Sequence, residues 1–213
     1  MHLTKFPFCS STLLPNKTSL SNWDFAPLFE IKESITLKAD NLAKLLKFSN
    51  IFYIDWFKTD SQGTDLRLFA NLPDHVRRKI LVANFEPGII DAYFGEDKLH
   101  HVLAHMDNEP FWMNSMEVKG AKRITKDDLQ TLSDEQKVKA FDKQKSSLCW
   151  CEVSYLNDME SSELGLREHL LAWLFSTILN QHGFALKIAN SGICRFQDNL
   201  WGELQKSSLE SLS

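Results

Sequence analysis

The sequence predicts an α+β fold in which a largely antiparallel sheet is flanked by helices, an arrangement like an α/β/α sandwich. Short runs of β-branched and aromatic residues are typical of strands, and longer segments with apolar residues three and four positions apart are typical of helices. The two kinds of segment partly segregate along the chain, which favours an antiparallel sheet. The 213 residues, of which 43% are hydrophobic and 24% charged, suffice for one large core.

One domain is expected over residues 21–206, because no repeat, low-complexity tract or linker divides the chain. Residues 1–20 are predicted to be a loosely ordered N-terminal segment and residues 207–213 a C-terminal tail. Both ends combine Ser and Thr with scattered Leu residues, and chain ends of this kind are often poorly ordered.

The first half of the chain predicts a hairpin surrounded by short helices. Residues 51–57 are mostly β-branched or aromatic, and residues 66–69 follow after a polar stretch that contains Gly63, so the two runs predict paired strands. Helices are expected over residues 34–48, 74–82, 89–94 and 97–106. Pro87-Gly88 marks a break between the second and the third of these helices.

Two capping boxes, which begin at Thr125 and Ser133, predict helix starts in the second half of the chain. The second of these helices is expected to run to about Lys143. Residues 148–156 give the clearest strand, because their side chains alternate between two faces that are both partly apolar. Such a strand is typical of the middle of a sheet.

The last quarter of the chain predicts a helix, a strand and a helix. Apolar residues cover more than half the circumference of a helix expected from Glu163 to His182, which predicts a central core helix. Ser162 is its expected N-cap and Gly183 its left-handed C-cap. Residues 184–189 predict a last strand, and an amphipathic helix follows.

The charge pattern excludes several classes of function. There are 28 acidic and 24 basic residues, well interspersed, and a net charge of −4 gives no concentrated positive field for nucleic acid or an anionic membrane. Without an apolar signal segment or bilayer-spanning run, we expect a soluble cytoplasmic protein that does not insert into membranes. The four cysteines form no C-x-x-C pair, so reduced thiols are expected and neither a metal nor a cofactor.

The best candidate for a metal site is the segment that holds Asp97, His101 and His105. The two histidines are four residues apart on one predicted helix face, with Asp97 one turn earlier, which is a spacing found among metal ligands. Val102, however, stands where a zincin helix carries its glutamate base. A surface cluster of histidines that includes His100 is the alternative interpretation.

A stripe of apolar residues near the C-terminal end is a candidate partner-binding surface. Its members are Phe196, Leu200, Trp201 and Leu204. Amphipathic helices with such stripes dock into apolar grooves of partner proteins. The stripe could equally pack against its own domain, and the sequence leaves both interpretations open.

Residues 47–144 resemble the ligand-binding domain of LuxR-type quorum-sensing regulators. The resemblance depends on the aromatic run around Trp56, on Pro110-Phe111-Trp112, and on the helix start Leu132-Ser133-Asp134-Glu135-Gln136. It implies an α/β/α sandwich with a small-molecule pocket, whose lining residues would be Tyr53, Trp56, Tyr93 and Trp112. No helix-turn-helix follows, so the resemblance does not extend to transcriptional regulation.

Aromatic richness, mild acidity and the apolar stripe favour a non-enzymatic protein-binding module, an adaptor or chaperone that recognises a protein segment. The first alternative is a LuxR-like regulatory domain that senses a small apolar molecule. The second is a metal-dependent enzyme that uses Asp97, His101 and His105.

Overall fold

The main sheet has four strands in the order β3-β4-β6-β5, and a separate two-stranded sheet pairs β1 with β2. The computed structural model describes all residues, 1–213. The strands are β1 (His2–Thr4), β2 (Ile31–Ser34), β3 (Trp56–Lys58), β4 (Val82–Phe85), β5 (Phe111–Ala121) and β6 (Ser147–Asn157). The helices are α1 (Lys17–Leu20), α2 (Leu42–Phe48), α3 (Asp65–Ala70), α4 (Asp74–Arg77), α5 (Leu99–Met106), α6 (Lys126–Thr131), α7 (Asp134–Asp142), α8 (Leu166–Ile178), α9 (His182–Phe196) and α10 (Leu200–Glu210).

The main sheet is largely antiparallel, as the sequence predicts. β6 pairs antiparallel with β4 on one side and with β5 on the other, which confirms its central position. Only β3 and β4 run parallel to each other. No helix of the structure combines the length and the apolar character that a bilayer crossing requires.

Helices lie on both faces of this sheet. On one face, Phe57 and Tyr155 belong to a core cluster with Phe69 of α3 and Met106 of α5. On the other face, one cross-strand row joins four residues in register: Trp56, Val82, Leu156 and Trp112. The ring of Trp56 contacts Phe175 of α8, and the ring of Trp112 contacts Phe184 of α9. The sheet is therefore the middle layer of an α+β fold.

The predicted hairpin is wrong. Residues 66–69 lie in α3, and of residues 51–57 only Trp56 and Phe57 belong to a strand. Asp65 holds the start of α3 in place, because its buried carboxylate accepts hydrogen bonds from the backbone N–H groups of Ser61 and Glu86. The strand that pairs with β3 is β4, whose residues the sequence assigns partly to a helix over residues 74–82.

One further expectation in this half of the chain is wrong, and one strand was not expected. Residues 89–94 form no helix, because the backbone N–H groups of Ile89 and Ile90 both donate to Cys149 O and hold the segment along β6. β5 has no predicted counterpart. It is an edge strand of eleven residues, and its many polar side chains conceal the alternation that reveals a half-buried strand.

The helix starts at Thr125 and Ser133 are confirmed, since each side chain accepts a hydrogen bond from the backbone three residues later. The predicted helix from Glu163 to His182 is divided in two. Asn180 takes the left-handed conformation that was expected of Gly183, with φ of 57°, and separates α8 from α9. α8 is also less central than expected, because Ile178 is 58% exposed.

The strand predicted over residues 184–189 is part of α9. Ala185, Ile188, Ala189 and Gly192 are buried, and this spacing of three, four and seven residues belongs to one helix face. Both chain ends are also more ordered than expected. β1 pairs with β2, Ser11 Oγ donates to Gln62 O, and α10 continues to Glu210.

Candidate functional site

A cavity of about 410 Å³ lies between residues 6–29 and one end of the main sheet. Residues 6–29 form one wall. The opposite wall comes from the segment that follows β4, residues 86–96, and from the beginning of β6. Six aromatic side chains line the cavity: Phe6, Phe8, Phe25, Phe29, Tyr93 and Trp150.

Backbone hydrogen bonds hold the two walls at a fixed separation. Asn16 N donates to Ala92 O and Phe94 N donates to Leu14 O, both at 2.9 Å. The Tyr93 hydroxyl donates to Cys9 O at 2.8 Å. The N-terminal segment is therefore part of the domain that encloses the cavity.

In the wall formed by residues 86–96, backbone groups of the turn before Glu96 bind its carboxylate. Its Oε1 accepts hydrogen bonds from Ala92 N at 2.6 Å and Tyr93 N at 3.2 Å, and the residue is only 7% exposed. Two glycines leave room for it. A Cβ atom at Gly88 would lie 2.6 Å from Glu96 Oε2, and one at Gly63, where φ is +101°, would lie 2.9 Å from Glu96 Cβ.

The cavity is acidic. It is lined by the carboxyl groups of Asp24, Asp60, Glu86 and Glu96, and by no Lys, Arg or His side chain. Burial raises the pKa of Glu96 to about 7. Burial also raises the pKa of Glu86 to about 7, with a smaller contribution from the neighbouring carboxylates, Asp60 first among them. Around neutral pH, the carboxyls of Glu86 and Glu96 therefore pass from the neutral to the ionised form.

The two thiols and the phenol that line the cavity stay protonated at neutral pH. Burial raises the pKa of the Cys9 thiol to about 11, and it also raises the pKa values of the Cys149 thiol and the Tyr93 phenol. A thiol reacts as a nucleophile only when ionised. The chemistry that this arrangement offers is thus hydrogen bonding, charge and aromatic contact.

No family model, curated protein or solved structure matches this chain. The residues of the cavity are therefore the basis for assigning a function.

The pocket predicted for Tyr53, Trp56, Tyr93 and Trp112 does not form. Only Tyr93 lines the cavity. Tyr53 lies under the guanidinium of Arg167, with 4.2 Å between the ring centre and Cζ. Trp56 packs on Phe175 of α8, and Trp112 packs on Phe184 of α9. The resemblance to LuxR-type domains implied this pocket, and the structure does not bring the four rings together.

The histidine segment is not assembled into a metal site. Arg67 binds the carboxylate of Asp97 through Nε and Nη2, and His101 Nδ1 accepts a hydrogen bond from Lys98 N at the start of α5. His105 instead makes a T-shaped contact with the ring of Phe69, and its Nε2 lies 3.5 Å from Glu109 Oε1. The structure contains no group of three or more His, Cys, Asp or Glu side chains that could hold a metal ion.

The C-terminal stripe packs against its own domain. Trp201 has no exposed surface, stacks on Phe196 at a centroid distance of 5.6 Å, and lies over Gly192 of α9. Leu204 joins the same core cluster, whereas Leu200 is nearly half exposed. The partner-binding assignment of this stripe is therefore corrected, because its central residue fills the core.

Apart from Tyr93, the sequence prediction missed the acidic and aromatic residues of the cavity. A signal for them exists in hindsight. Phe6, Phe8, Phe25 and Phe29 give the N-terminal segment an aromatic content that a loose tail does not need. Glu86 precedes Pro87-Gly88, a break at which a carboxyl group can be positioned by a turn.

Proposed function

We propose that this chain is a non-enzymatic binding module and that the cavity between residues 6–29 and the sheet end is its ligand site. The observation that carries the proposal is a partly open cavity of about 410 Å³ with six aromatic rings in its walls. Pockets that bind small molecules or side chains have volumes of roughly 300–1,000 Å³ and predominantly apolar walls with few polar groups.

The opening of the cavity suits a group presented by a protein segment. Phe8 is 74% exposed, and Phe6 and Trp150 are also partly exposed although all three line the cavity. Exposed aromatic side chains around a pocket give contact area to whatever carries the inserted group. An adaptor or chaperone that recognises a side chain within a segment is the function we favour.

The same cavity supports a second candidate, a small-molecule sensor of the LuxR-like kind. Its volume accommodates a ligand of acyl-lactone size, although the residues that line it differ from those that the resemblance implied. The two candidates share one site and differ in what enters it.

The proposal is tested by closing the cavity. Ala121 lines it at the end of β5, so Ala121→Trp places an indole in the cavity, while Val118→Trp on the exposed part of the same strand is the matched control. A set of aromatic and aliphatic fragments, with an acyl-homoserine lactone included, is screened by ligand-observed NMR. Binding to the wild type and to Val118→Trp, but not to Ala121→Trp, is expected. Absence of binding to the wild type would refute the proposal.

A further inference from the structure

We propose that the cavity selects an organic cation, an ammonium group attached to an aromatic or aliphatic body; this inference rests on the proposed function of the same site. A lysine side chain and a free amine share this chemistry. Two independent features of the cavity support it: carboxylate oxygens without hydrogen-bond partners, and a continuous aromatic wall.

The first feature is an excess of acceptors. Glu96 is more than nine-tenths buried, and although two backbone N–H groups satisfy Oε1, no protein group donates to Oε2, which lies beside Gly88 in the cavity wall. The Glu86 carboxyl accepts no hydrogen bond from the protein and forms no ion pair. Asp24 Oδ1 is likewise buried without a partner. Of these acceptors only Asp24 Oδ1 is itself buried, whereas Glu86 is half-buried. All of them lack a donor from the protein, and an ammonium group supplies up to three.

The second feature is the arrangement of the rings. Phe25 lies 5.8 Å from Phe29, and Phe29 lies 5.6 Å from Tyr93, measured between ring centroids, so the three rings are contiguous and tilted by 45° and 55° to one another. The face of an aromatic ring attracts a cation, and the attraction strengthens where water is excluded. Aromatic walls next to carboxylates are thus suited to an ammonium group whose carbon body contacts the rings.

Other ligand classes fit these walls less well. An anion would face four carboxyl groups without a single Lys, Arg or His among the lining residues. A neutral apolar molecule would cover the rings but leave Glu86 and Glu96 without donors. A bare metal ion would need at least three converging ligands, and no such group is present.

The test compares three compounds of similar size and different charge: phenethylamine, phenethyl alcohol and phenylacetate. Dissociation constants are measured by NMR titration at pH 8, where the carboxyls of Glu86 and Glu96, with pKa values of about 7, are ionised. We expect the amine to bind on the order of tenfold more tightly than the alcohol, and the carboxylate to bind more weakly than either.

Two variants assign the preference to the cavity. Glu96→Gln and Glu86→Gln each remove one negative charge with little change of shape, and each is expected to reduce the preference for the amine over the alcohol. Glu203→Gln, an exposed position on α10, is the matched control and is expected to leave the preference unchanged. Using both cavity variants keeps the test decisive if one of them folds poorly.

A second comparison identifies the source of the cation. A short peptide with one lysine is compared with the same peptide carrying norleucine, which has the apolar chain without the charge. Tighter binding of the lysine peptide than of phenethylamine supports recognition of a protein segment, and the reverse order supports a free amine.

The outcomes separate the inference from the proposed function. Equal affinities for amine and alcohol, with binding still abolished by Ala121→Trp, would overturn the cation preference and leave the binding module intact. A preference that persists unchanged in both glutamate variants would overturn it as well. If no compound of any charge binds, the proposed function and the inference both fail.

Discussion

Replacing Gly192 by alanine tests how tightly α10 is held against α9. A Cβ atom at this position would lie 2.1 Å from Cδ2 and 2.2 Å from Cε3 of the Trp201 ring, whereas ordinary contacts begin at 3.4 Å. The ring would have to retreat by 1.3 Å, the difference between 3.4 and 2.1 Å. Trp201 has no exposed surface, so no open space receives it.

The expected size of the effect follows from two opposing contributions. Overpacking of a core costs about 1–3 kcal/mol, and a rigid indole that stacks on Phe196 and makes a T-shaped contact with His169 places this case near the upper end. Alanine gains about 1 kcal/mol over glycine from its helix propensity. The net loss in the free energy of unfolding is therefore about 2 kcal/mol.

Gly183→Ala is the matched control on the same helix. A Cβ atom at Gly183 meets nothing within 4 Å, so this variant is expected to match or exceed the stability of the wild type. Urea denaturation followed by far-ultraviolet circular dichroism gives both free energies. Equal stability of the two alanine variants would refute the packing described between Gly192 and Trp201.

Three further predictions concern single residues. Because burial raises the pKa of Glu86 from 4.5 to about 7, folding holds a proton that the unfolded chain releases, and stability is lost as pH rises from about 4.5 through 7. Glu96 adds a loss over the same range, so Glu86→Gln should reduce but not abolish the loss between pH 5 and pH 8 in urea denaturation. Burial lowers the pKa of His169, whose Nε2 accepts from Arg195, so stability falls as pH drops below 6.5; His169→Gln should show a smaller slope there. At Asn180, where φ is 57°, Asn180→Val should lower the melting temperature through a loss of about 1–2 kcal/mol, whereas Asn180→Gly should not.

The elements that the sequence predicts well are those encoded by neighbouring residues. The Ser133 capping box lies at the start of α7, and the alternation along residues 148–156 lies within β6. Each pattern depends on a single element, and the structure confirms both. The strand predicted over residues 66–69 is wrong because a short apolar run has no periodicity that distinguishes a strand from a helix. The choice there depends on the Asp65 carboxylate, which bonds to Glu86 N in a distant part of the chain.

The cavity could not be predicted, because it too depends on contacts between residues that are distant in the chain. Its walls join Phe29 to Glu86 and Trp150, and these contacts exist only after the sheet and the N-terminal segment have come together. The sequence does show an excess of aromatic residues in the N-terminal segment, but it gives no indication of which distant carboxyl groups those rings face.

The cavity is built from segments that lie far apart in the chain, and this separation affects how it forms during synthesis. Residues 6–29 leave the ribosome first, yet the residues of β6 that they face begin at Cys149, after a further 119 residues from position 30 to position 148. At roughly 5–20 residues per second, the N-terminal aromatic side chains wait about 6–24 s for that partner wall. During this interval Phe6, Phe8 and Phe25 have no cavity to line, so the nascent chain exposes them to chaperones before it can hold a ligand.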